Sequence, residues 1–360
     1  MSALLDKLKK NSTIKDTAIV ADSKFFNKKD MISTSVPAIN IALSGKIDGG
    51  LTPGLTMWAG PSKHFKTMFS LIMAKSYMDK YEDAVMLFYD SEFGTPKAYF
   101  ESLDIDTQRI VHTPLLDVEQ LKFDIMQQIT NLTRGDHVII VIDSIGNLAS
   151  KKEVEDALDA SSKADMSRAR QLKSLFRMVT PHLTMKDIPM VVVNHTYKTM
   201  ELYAKDVVGG GTGSYYSSDN IFILGRQQEK DGKDLTGYNF IINVEKSRYV
   251  REKSKIPITV SFDGGLSKWS GLLEMALESG HVIKPKVGWY QAVNPETGEV
   301  IEGAKNYREA DTDSKEFWLP ILKSPSFNKY VENKYCISHG ALISAEDNTA
   351  EVYTDLDEDN

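Results

Sequence analysis

The sequence predicts an α/β fold in which helices cover both faces of a mostly parallel central sheet. Short β-rich runs alternate with helical stretches through the middle of the chain, and several of these runs are apolar throughout. The last runs follow one another without helices, which predicts an antiparallel far edge. Eight strands are predicted: Leu55–Ala59, Ala84–Asp90, Arg109–Thr113, His137–Asp143, Pro189–Asn194, Asn220–Gly225, Tyr238–Glu245 and Ile256–Phe262.

Helices are predicted between these strands, where apolar residues recur at helical spacing. Lys66–Lys80 carries its apolar side chains three and four residues apart. A second helix, Val118–Thr133, follows Asp117 with Gln120 three residues later, which is a typical helix start. The pattern of Ala164–Met185 predicts a third helix.

Both ends of the chain are predicted to lie outside this core. The first residues resemble a helical arm. Trp269–Gly280 is predicted to be a helix closed by glycine, and a hairpin that turns at Asn294–Gly298 is predicted to follow it. The predicted division is a helical arm over residues 1–30, an α/β core over 31–268, a small C-terminal α+β domain over 269–345 and an acidic disordered tail over 346–360.

Composition and charge limit the class of protein. A chain of 360 residues with 41% hydrophobic residues can bury a sizeable core. The formal net charge of -7 argues against a generally basic nucleic-acid coat protein. A local basic field is still present, because five cations lie close together in the chain: Lys246, Arg248, Arg251, Lys253 and Lys255.

The sequence predicts a cytoplasmic protein without a membrane segment. Met1–Asn11 has no apolar run long enough for a signal peptide. The strongest apolar runs, Val138–Ile142 and Met190–Val193, are too short to cross a bilayer. Cys336 is the only cysteine, which excludes an internal disulfide framework and is typical of a reducing compartment.

A phosphate-binding loop is predicted between the first strand and its helix. Its eight residues are Gly60, Pro61, Ser62, Lys63, His64, Phe65, Lys66 and Thr67. In such a loop, backbone N–H groups and the helix N-terminus hold phosphates. Lys66 then reaches the β- and γ-phosphates of ATP, and the Thr67 hydroxyl binds Mg²⁺. Phe65 stands where glycine is usual, so a plain glycine turn before a basic helix is the alternative.

Polar residues end the neighbouring strands. Asp143 closes an apolar strand and is predicted to act at the metal, and Glu92 follows another strand and is predicted to polarise the water that attacks the γ-phosphate. Asn194 and His195 end the next strand, where His195 is a candidate γ-phosphate sensor. The carboxyl ends of parallel strands meet at one edge, which predicts a single site.

These motifs resemble the RecA family of recombinases, and within it the recombinases of T-even-type bacteriophages, in which phenylalanine also precedes the lysine of the phosphate loop. The similarity covers nearly the whole chain. The segments that carry it are Ser23–Asp30, Ile39–Gly45, Ala59–Thr67, Leu87–Gly94, Ile142–Glu153, Val193–Tyr197, Gly209–Gly213, Val244–Arg248 and Leu272–Tyr290.

The resemblance implies a RecA-like ATPase core and a helical filament, with ATP held between adjacent subunits. It implies that Glu92 activates water, that Asp143 orders Mg²⁺ and that His195 replaces a family glutamine. Lys246 and Arg248 match the pair that reaches the γ-phosphate of the neighbouring subunit. Such cations distinguish ATP from ADP by charge, so that ATP ties the subunits together.

Two loops that follow central strands are predicted to bind DNA. In the family, loops at these positions line the filament axis, where cations neutralise phosphates and aromatic side chains contact bases. The loops span about Ala149–Lys163 and Thr196–Ser214. The predicted DNA-binding residues are Lys151, Lys152, Arg168, Lys198, Tyr203, Lys205, Gly209, Gly210 and Gly211.

Three aromatic residues have two interpretations each. Tyr99 lies seven residues after Glu92, at the spacing of the family's adenine-stacking tyrosine, but it also suits helix packing. Phe25 and Phe26 either anchor the arm on a neighbouring subunit or pack within their own chain.

The function that this resemblance implies is ATP-dependent DNA strand exchange in recombination, repair and recombination-dependent replication. The implied setting is a phage-infected bacterial host. The implied partners are single- and double-stranded DNA, further copies of the chain, a single-strand-binding protein and a recombination mediator. Two alternatives stay open: a hexameric helicase motor built on the same core, and a non-catalytic accessory paralogue.

Overall fold

The computed structural model describes residues 3–25, 30–159, 167–200, 204–231, 234–262, 265–301 and 305–338. The strands are β1 Gly54–Ala59, β2 Val85–Asp90, β3 Ile110–Pro114, β4 Val138–Asp143, β5 Pro189–Asn194, β6 Thr196–Lys198, β7 Asp206–Val208, β8 Asn220–Asp231, β9 Asp234–Lys246, β10 Lys255–Ser261, β11 Gly265–Leu266, β12 Val282–Lys286, β13 Trp289–Ala292 and β14 Tyr307–Arg308. The α-helices are α1 Ala3–Asn11, α2 Pro37–Ser44, α3 Lys66–Lys80, α4 Lys97–Ser102, α5 Val118–Asn131, α6 Lys151–Leu158, α7 Ser167–Lys186, α8 Thr212–Ser217, α9 Leu272–Glu278, α10 Lys315–Leu322 and α11 Pro325–Tyr335.

Nine strands form one central sheet in the order β11–β10–β9–β8–β1–β5–β4–β2–β3. The six strands from β8 to β3 are parallel, whereas β9, β10 and β11 extend the sheet in antiparallel pairing. This arrangement confirms the predicted parallel sheet with an antiparallel far edge. β8 and β9 run further than predicted, because backbone pairing continues past the apolar residues into the polar stretch that follows Gly225.

The sheet separates two apolar layers. Side chains of a strand point alternately to its two faces, so Trp58 and Met57 of β1 face opposite ways. Trp58 packs with Phe69 of α3, and Met57 belongs to the layer that contains Leu121 of α5 and Phe176 of α7. The parallel strands β1, β4 and β5, in which every residue is buried, are therefore covered on both faces, which explains their continuous apolar runs in the sequence.

The strand register brings the polar strand ends together. Asp90 of β2 pairs with Asp143 of β4, and Ala59 of β1 pairs with Asn194 of β5. The loop that begins at Gly60 therefore starts at the same edge of the sheet as the predicted carboxylates. This edge positions the site described below.

A smaller unit follows the core. It contains α9, the three-stranded antiparallel sheet β12–β13–β14, and helices α10 and α11. The predicted hairpin is only partly correct, because the paired strands turn at Val287 and Gly288. The turn at Asn294–Gly298 does form, but it closes a single bridge between Val293 and Val300. The division of the chain into arm, core, C-terminal domain and tail stays a prediction.

Several short helices were not predicted. Every residue of α2 is buried, so its sequence lacks the polar face that reveals an amphipathic helix. The predicted helix Trp269–Gly280 is regular only over α9, where Leu272, Met275 and Ala276 are buried. Across the residues that the structure describes, no helix is both long enough and apolar enough to span a membrane.

Candidate functional site

The loop between β1 and α3 has the backbone shape of a phosphate cradle. Lys63 and Phe65 have φ angles of 60° and 56°, in the left-handed region that glycine usually occupies. The Phe65 ring packs against Phe240 with 5.2 Å between centroids, which gives this residue a packing role that glycine lacks. Phe65, the N-cap residue of α3, makes no side-chain hydrogen bond to the first turn, so the N–H groups of this turn can bind an anion.

Lys66 lies inside the cradle. Its side chain is buried and its Nζ atom donates to the carbonyl oxygen of Pro61 at 2.8 Å. Burial lowers the pKa of Lys66, although the nearby carboxylates Glu92 and Asp143 oppose that shift. An ammonium group has three N–H donors, and one carbonyl satisfies one of them. The other donors suit phosphate oxygens.

Thr67 and Asp143, the two residues predicted to bind Mg²⁺, lie in direct contact. The Thr67 hydroxyl donates to Asp143 Oδ2 at 2.6 Å, and Asp143 is almost fully buried. The other carboxylate oxygen, Oδ1, is buried without a hydrogen-bond partner among the described residues. Burial raises the pKa of Asp143 to about 6. A hydroxyl beside a carboxylate with one free oxygen provides the hard oxygen ligands that Mg²⁺ takes, so these residues fit the ion.

Glu92 and His195 come together at the same edge. Oε1 of Glu92 accepts a hydrogen bond from the Ser144 hydroxyl at 2.6 Å and lies 2.8 Å from Nε2 of His195. The hydrogen bond from His195 is the largest cause of a lowered pKa at Glu92. A carboxylate held ionised in this way can accept a proton from water. Ser144 was not among the predicted site residues, although it follows Asp143 directly.

Asp90 fixes the turn that carries Glu92. Its Oδ1 atom accepts the backbone N–H groups of Glu92 at 3.0 Å and Phe93 at 2.8 Å. Its Oδ2 atom lies 3.4 Å from Nε2 of His112. Asp90 was not among the predicted site residues, although an aspartate two residues before a turn residue is a known capping signal.

A cavity of about 540 Å³ lies beside the phosphate loop. Its aromatic lining includes Phe65 from the loop, Tyr238 from β9 and Phe262, which directly follows β10. Phe262 is 57% exposed, and its ring lies 5.5 Å from the Tyr238 ring. An aromatic cavity next to a phosphate site suits a flat base. Phe262 and Tyr238 were not predicted as site residues.

Tyr99 lies on α4 and is 42% exposed, which argues against the packing alternative. It does not line the cavity beside Phe262. Its role as a base-stacking residue stays a prediction.

Lys246 and Arg248 are held within their own chain. Nζ of Lys246 donates to the carbonyl oxygens of Tyr215 at 2.9 Å and Tyr216 at 3.1 Å. Arg248 is exposed and forms an ion pair with Asp219. A contact from either cation to a neighbouring subunit stays a prediction.

The first predicted DNA loop is largely a helix. Ser150 and Glu153 form a reciprocal capping box that starts α6, so Lys151 and Lys152 lie on its first turn and not in an open loop. The sequence motif Ser-Lys-Lys-Glu carries this signal and was overlooked. Both lysines are exposed, and Lys152 pairs with Asp156 at 3.0 Å.

The second predicted DNA loop contains the hairpin β6–β7. Lys198 lies 3.7 Å from Asp206 across this hairpin, and Lys205 is exposed. Tyr203 lies outside the described residues. The triple glycine follows β7: Gly209 donates to the His195 carbonyl at 2.9 Å, whereas Gly210 and Gly211 have φ angles of 90° and 76°.

The position of Arg168 argues against the DNA contact predicted for it. Its Nε atom donates to the carbonyl oxygen of Leu148 at 2.6 Å, and Nη2 donates to those of Ile145 at 2.8 Å and Gly146 at 3.1 Å. Most of the guanidinium fork is therefore used within the chain.

The arm carries an exposed apolar face. Leu4, Leu5 and Leu8 of α1 are all exposed, and no residue of this helix is buried. Phe25 lies 5.6 Å from the guanidinium of Arg134, so it contacts its own chain. Phe26 and the acidic tail lie outside the described residues.

Comparisons with known proteins identify the family of this chain. The family described as the RecA N-terminal domain matches residues 2–267, and the C-terminal domain of the bacteriophage T4 recombination and repair protein (UvsX) matches residues 269–331. The recombination and repair protein of Enterobacteria phage T4 is 52% identical over 98% of this chain and 90% of its own length. Protein RecA of Streptomyces venezuelae is 25% identical over 79% of this chain and 73% of its own length.

Among solved structures, the RadB recombinase matches 66% of this chain and 98% of its own, with 17% identity and a TM-score of 0.48. The match to the RecA N-terminal domain covers the phosphate loop, both carboxylates and both predicted DNA loops. This chain therefore belongs to the RecA family of recombinases, in the branch of the T4 recombination and repair protein.

Proposed function

We propose that this chain forms helical filaments on single-stranded DNA and uses ATP to pair that strand with a homologous duplex. The arrangement that supports this function best is the convergence of Lys66, the Thr67–Asp143 pair and the Glu92–His195 pair at one edge of the sheet. In this proposal the chain is an ATPase that depends on single-stranded DNA. It acts in recombination, repair and recombination-dependent replication in the cytoplasm of a phage-infected bacterium.

The phosphates of ATP lie in the cradle that begins at Gly60. Lys66 contacts the β- and γ-phosphates, and Thr67 with Asp143 holds Mg²⁺, which neutralises charge on the phosphate oxygens. Glu92 accepts a proton from the attacking water. His195 lies against Glu92 and is placed to respond to the γ-phosphate. The cavity beside Phe262 takes the base.

In the filament, each subunit supplies two further cations to the ATP of its neighbour. Lys246 and Arg248 reach the γ-phosphate held by the neighbouring subunit, after leaving the contacts that they make within their own chain. ATP then links two subunits, whereas ADP offers weaker attraction and lets them separate. The exposed leucines of α1 support an arm that docks on another copy, because an unpartnered apolar helix face is costly in water.

DNA binding involves the region around α6 and the hairpin β6–β7. Lys151, Lys152, Lys198 and Lys205 are exposed and neutralise phosphates, and the glycines from Gly209 to Gly211 allow the hairpin to move. The duplex partner enters the same filament. A single-strand-binding protein and a recombination mediator assist assembly.

Electron microscopy with single-stranded DNA and ATP tests this function. Long helical filaments are expected for the wild-type protein, because ATP joins adjacent subunits. Closed rings contradict the proposal and favour the helicase alternative. A protein that binds nucleotide but does not hydrolyse it favours the accessory alternative.

Strand exchange by the Lys66→Ala variant tests the role of the cradle. Loss of hydrolysis and strand exchange is expected, since the phosphates lose their buried cation. Normal strand exchange by a correctly folded variant would remove the phosphate-loop argument.

A further inference from the structure

The pair Glu92–His195 depends on a close approach at Gly146. A Cβ atom on Gly146 would lie 2.2 Å from Cδ2 of His195, so only glycine lets the imidazole lie against the loop that follows β4. The same loop is tied to β5, because Ile145 donates its N–H to the Val193 carbonyl at 3.0 Å. The position of the His195 ring therefore depends on where this loop lies.

The side chain of Arg168 also holds this loop. Its guanidinium donates to three carbonyl oxygens of the loop, those of Ile145, Gly146 and Leu148, at 2.6 to 3.1 Å. A planar guanidinium has donors in fixed directions, so it can fix several carbonyls at once, which a lysine cannot do.

Arg168 lies in the first turn of α7, and both predicted DNA loops contact this part of the helix. In the first loop, the Ser150 hydroxyl lies 2.5 Å from the Ser167 hydroxyl at the start of α7. The glycines of the second loop pack on its side: a Cβ on Gly210 would lie 3.2 Å from Leu172, and one on Gly213 would lie 2.6 Å from Lys173. Both loops therefore pack against the helix that carries Arg168.

We propose that Arg168 is a positioning residue that couples DNA binding to ATP hydrolysis. Through the carbonyl groups of the loop it holds Gly146 against His195, and so keeps His195 on Glu92. This inference rests on the proposed function, and it replaces the phosphate contact predicted for Arg168. The residue contacts neither ATP nor DNA in this role.

The test measures ATP hydrolysis by Arg168→Lys and Arg168→Gln at saturating single-stranded DNA. We expect kcat to fall roughly tenfold to a hundredfold in both variants, because small displacements of a reacting group are costly. The KM for ATP and the Kd for a labelled oligonucleotide should change by less than about threefold, because neither ligand loses a contact. Gly146→Ala should give the same pattern, and its effect should not add to that of Arg168→Lys.

Arg109→Gln is the matched control. Nη1 of Arg109 also donates to backbone carbonyls, those of Met78, Tyr81, Glu82 and Ala84, but at the opposite end of the sheet. This variant should lose stability without losing kcat per folded molecule. If circular dichroism shows that Arg168→Gln does not fold, the kcat of Arg168→Lys tests the inference.

Two results would overturn the inference. The first is an unchanged kcat together with weaker DNA binding and a slope of log Kd against log salt concentration that is smaller by about one. This result would assign Arg168 to a DNA phosphate. An unchanged kcat with unchanged DNA binding would leave it no role in coupling. Failure of the proposed function would be seen separately, in the wild-type protein. In that case single-stranded DNA would not stimulate its ATP hydrolysis.

Discussion

Nε2 of His195 lies 2.8 Å from Oε1 of Glu92, and the Ser144 hydroxyl donates to the same oxygen at 2.6 Å. Three strand ends supply these groups, since Glu92 follows β2, Ser144 follows β4 and His195 follows β5. The carboxylate that is proposed to activate water is therefore contacted by His195, which directly follows β5 and directly precedes the second predicted DNA loop.

Glu92→Gln should bind ATP and fail to hydrolyse it. An amide accepts no proton from water, so we expect kcat to fall by roughly a hundredfold to ten-thousandfold. ATP affinity should change little, because the amide has the same shape. Hydrolysis at saturating ATP and DNA, with equilibrium binding of a fluorescent nucleotide, measures both quantities.

Glu101→Gln is the control for this change. Glu101 lies on α4, is exposed and pairs only with Lys97 among the charged groups of the described chain. The same chemical change there should leave kcat at the wild-type value. Substantial hydrolysis by Glu92→Gln would exclude Glu92 as the proton acceptor.

The central sheet and the main carboxylates were predictable because local signals and topology agree. The apolar runs predict parallel strands, and parallel strands necessarily place Glu92 and Asp143 at one edge. The role of Ser144 was not predictable, because its hydroxyl donates to a carboxylate of another loop and no spacing in the sequence reveals such a contact. The role of Asp90 is local and was predictable, because its carboxylate accepts from the backbone of the turn that follows it.

Features that join distant parts of the chain were not predictable for the same reason. The aromatic cavity joins Phe65, Tyr238 and Phe262, which are far apart along the chain and meet only in the folded sheet. Arg168 was predicted to bind DNA because its partners are backbone carbonyls, which no residue type in the sequence indicates. The helix α6 was a different kind of error, since its capping box is visible in the sequence at Ser150 and Glu153.

Substitutions at Phe65 separate backbone strain from ring packing. Both Phe65→Ala and Phe65→Gly remove the ring from Phe240, but only glycine relieves the left-handed φ of 56°. Phe65→Gly should therefore be more stable than Phe65→Ala by about 1 kcal/mol. Urea unfolding of both variants measures the difference. Equal stabilities would mean that the left-handed conformation carries no cost at this position.

Phe262→Ala should weaken ATP binding without slowing the chemical step. A base stacked on this ring is expected to lose about 1–3 kcal/mol of binding, which corresponds to a rise in KM of about fivefold to 150-fold. The kcat should stay near the wild-type value, since the ring binds the ground state and the transition state equally. Phe123→Ala, at an exposed ring on α5, is the control. A lowered kcat with an unchanged KM would contradict the base cavity.

The C-terminal unit should lose stability in acid through His281. This imidazole is buried, its two ring nitrogens contact serine hydroxyls, and burial lowers its pKa below the ordinary value of 6.5. The unfolded chain therefore binds a proton more readily than the folded one. The stability that the neutral ring provides is present above pH 6.5 and is lost as the pH falls below that value.

Tryptophan fluorescence reports this transition, because Trp269, Trp289 and Trp318 lie in the C-terminal unit and only Trp58 lies in the core sheet. The thermal midpoint of this signal should fall between pH 7 and pH 5 in the wild-type protein. His281→Gln removes the titrating group and should show a smaller fall over the same interval. If the two proteins lose stability in parallel, other groups cause the acid sensitivity and His281 does not.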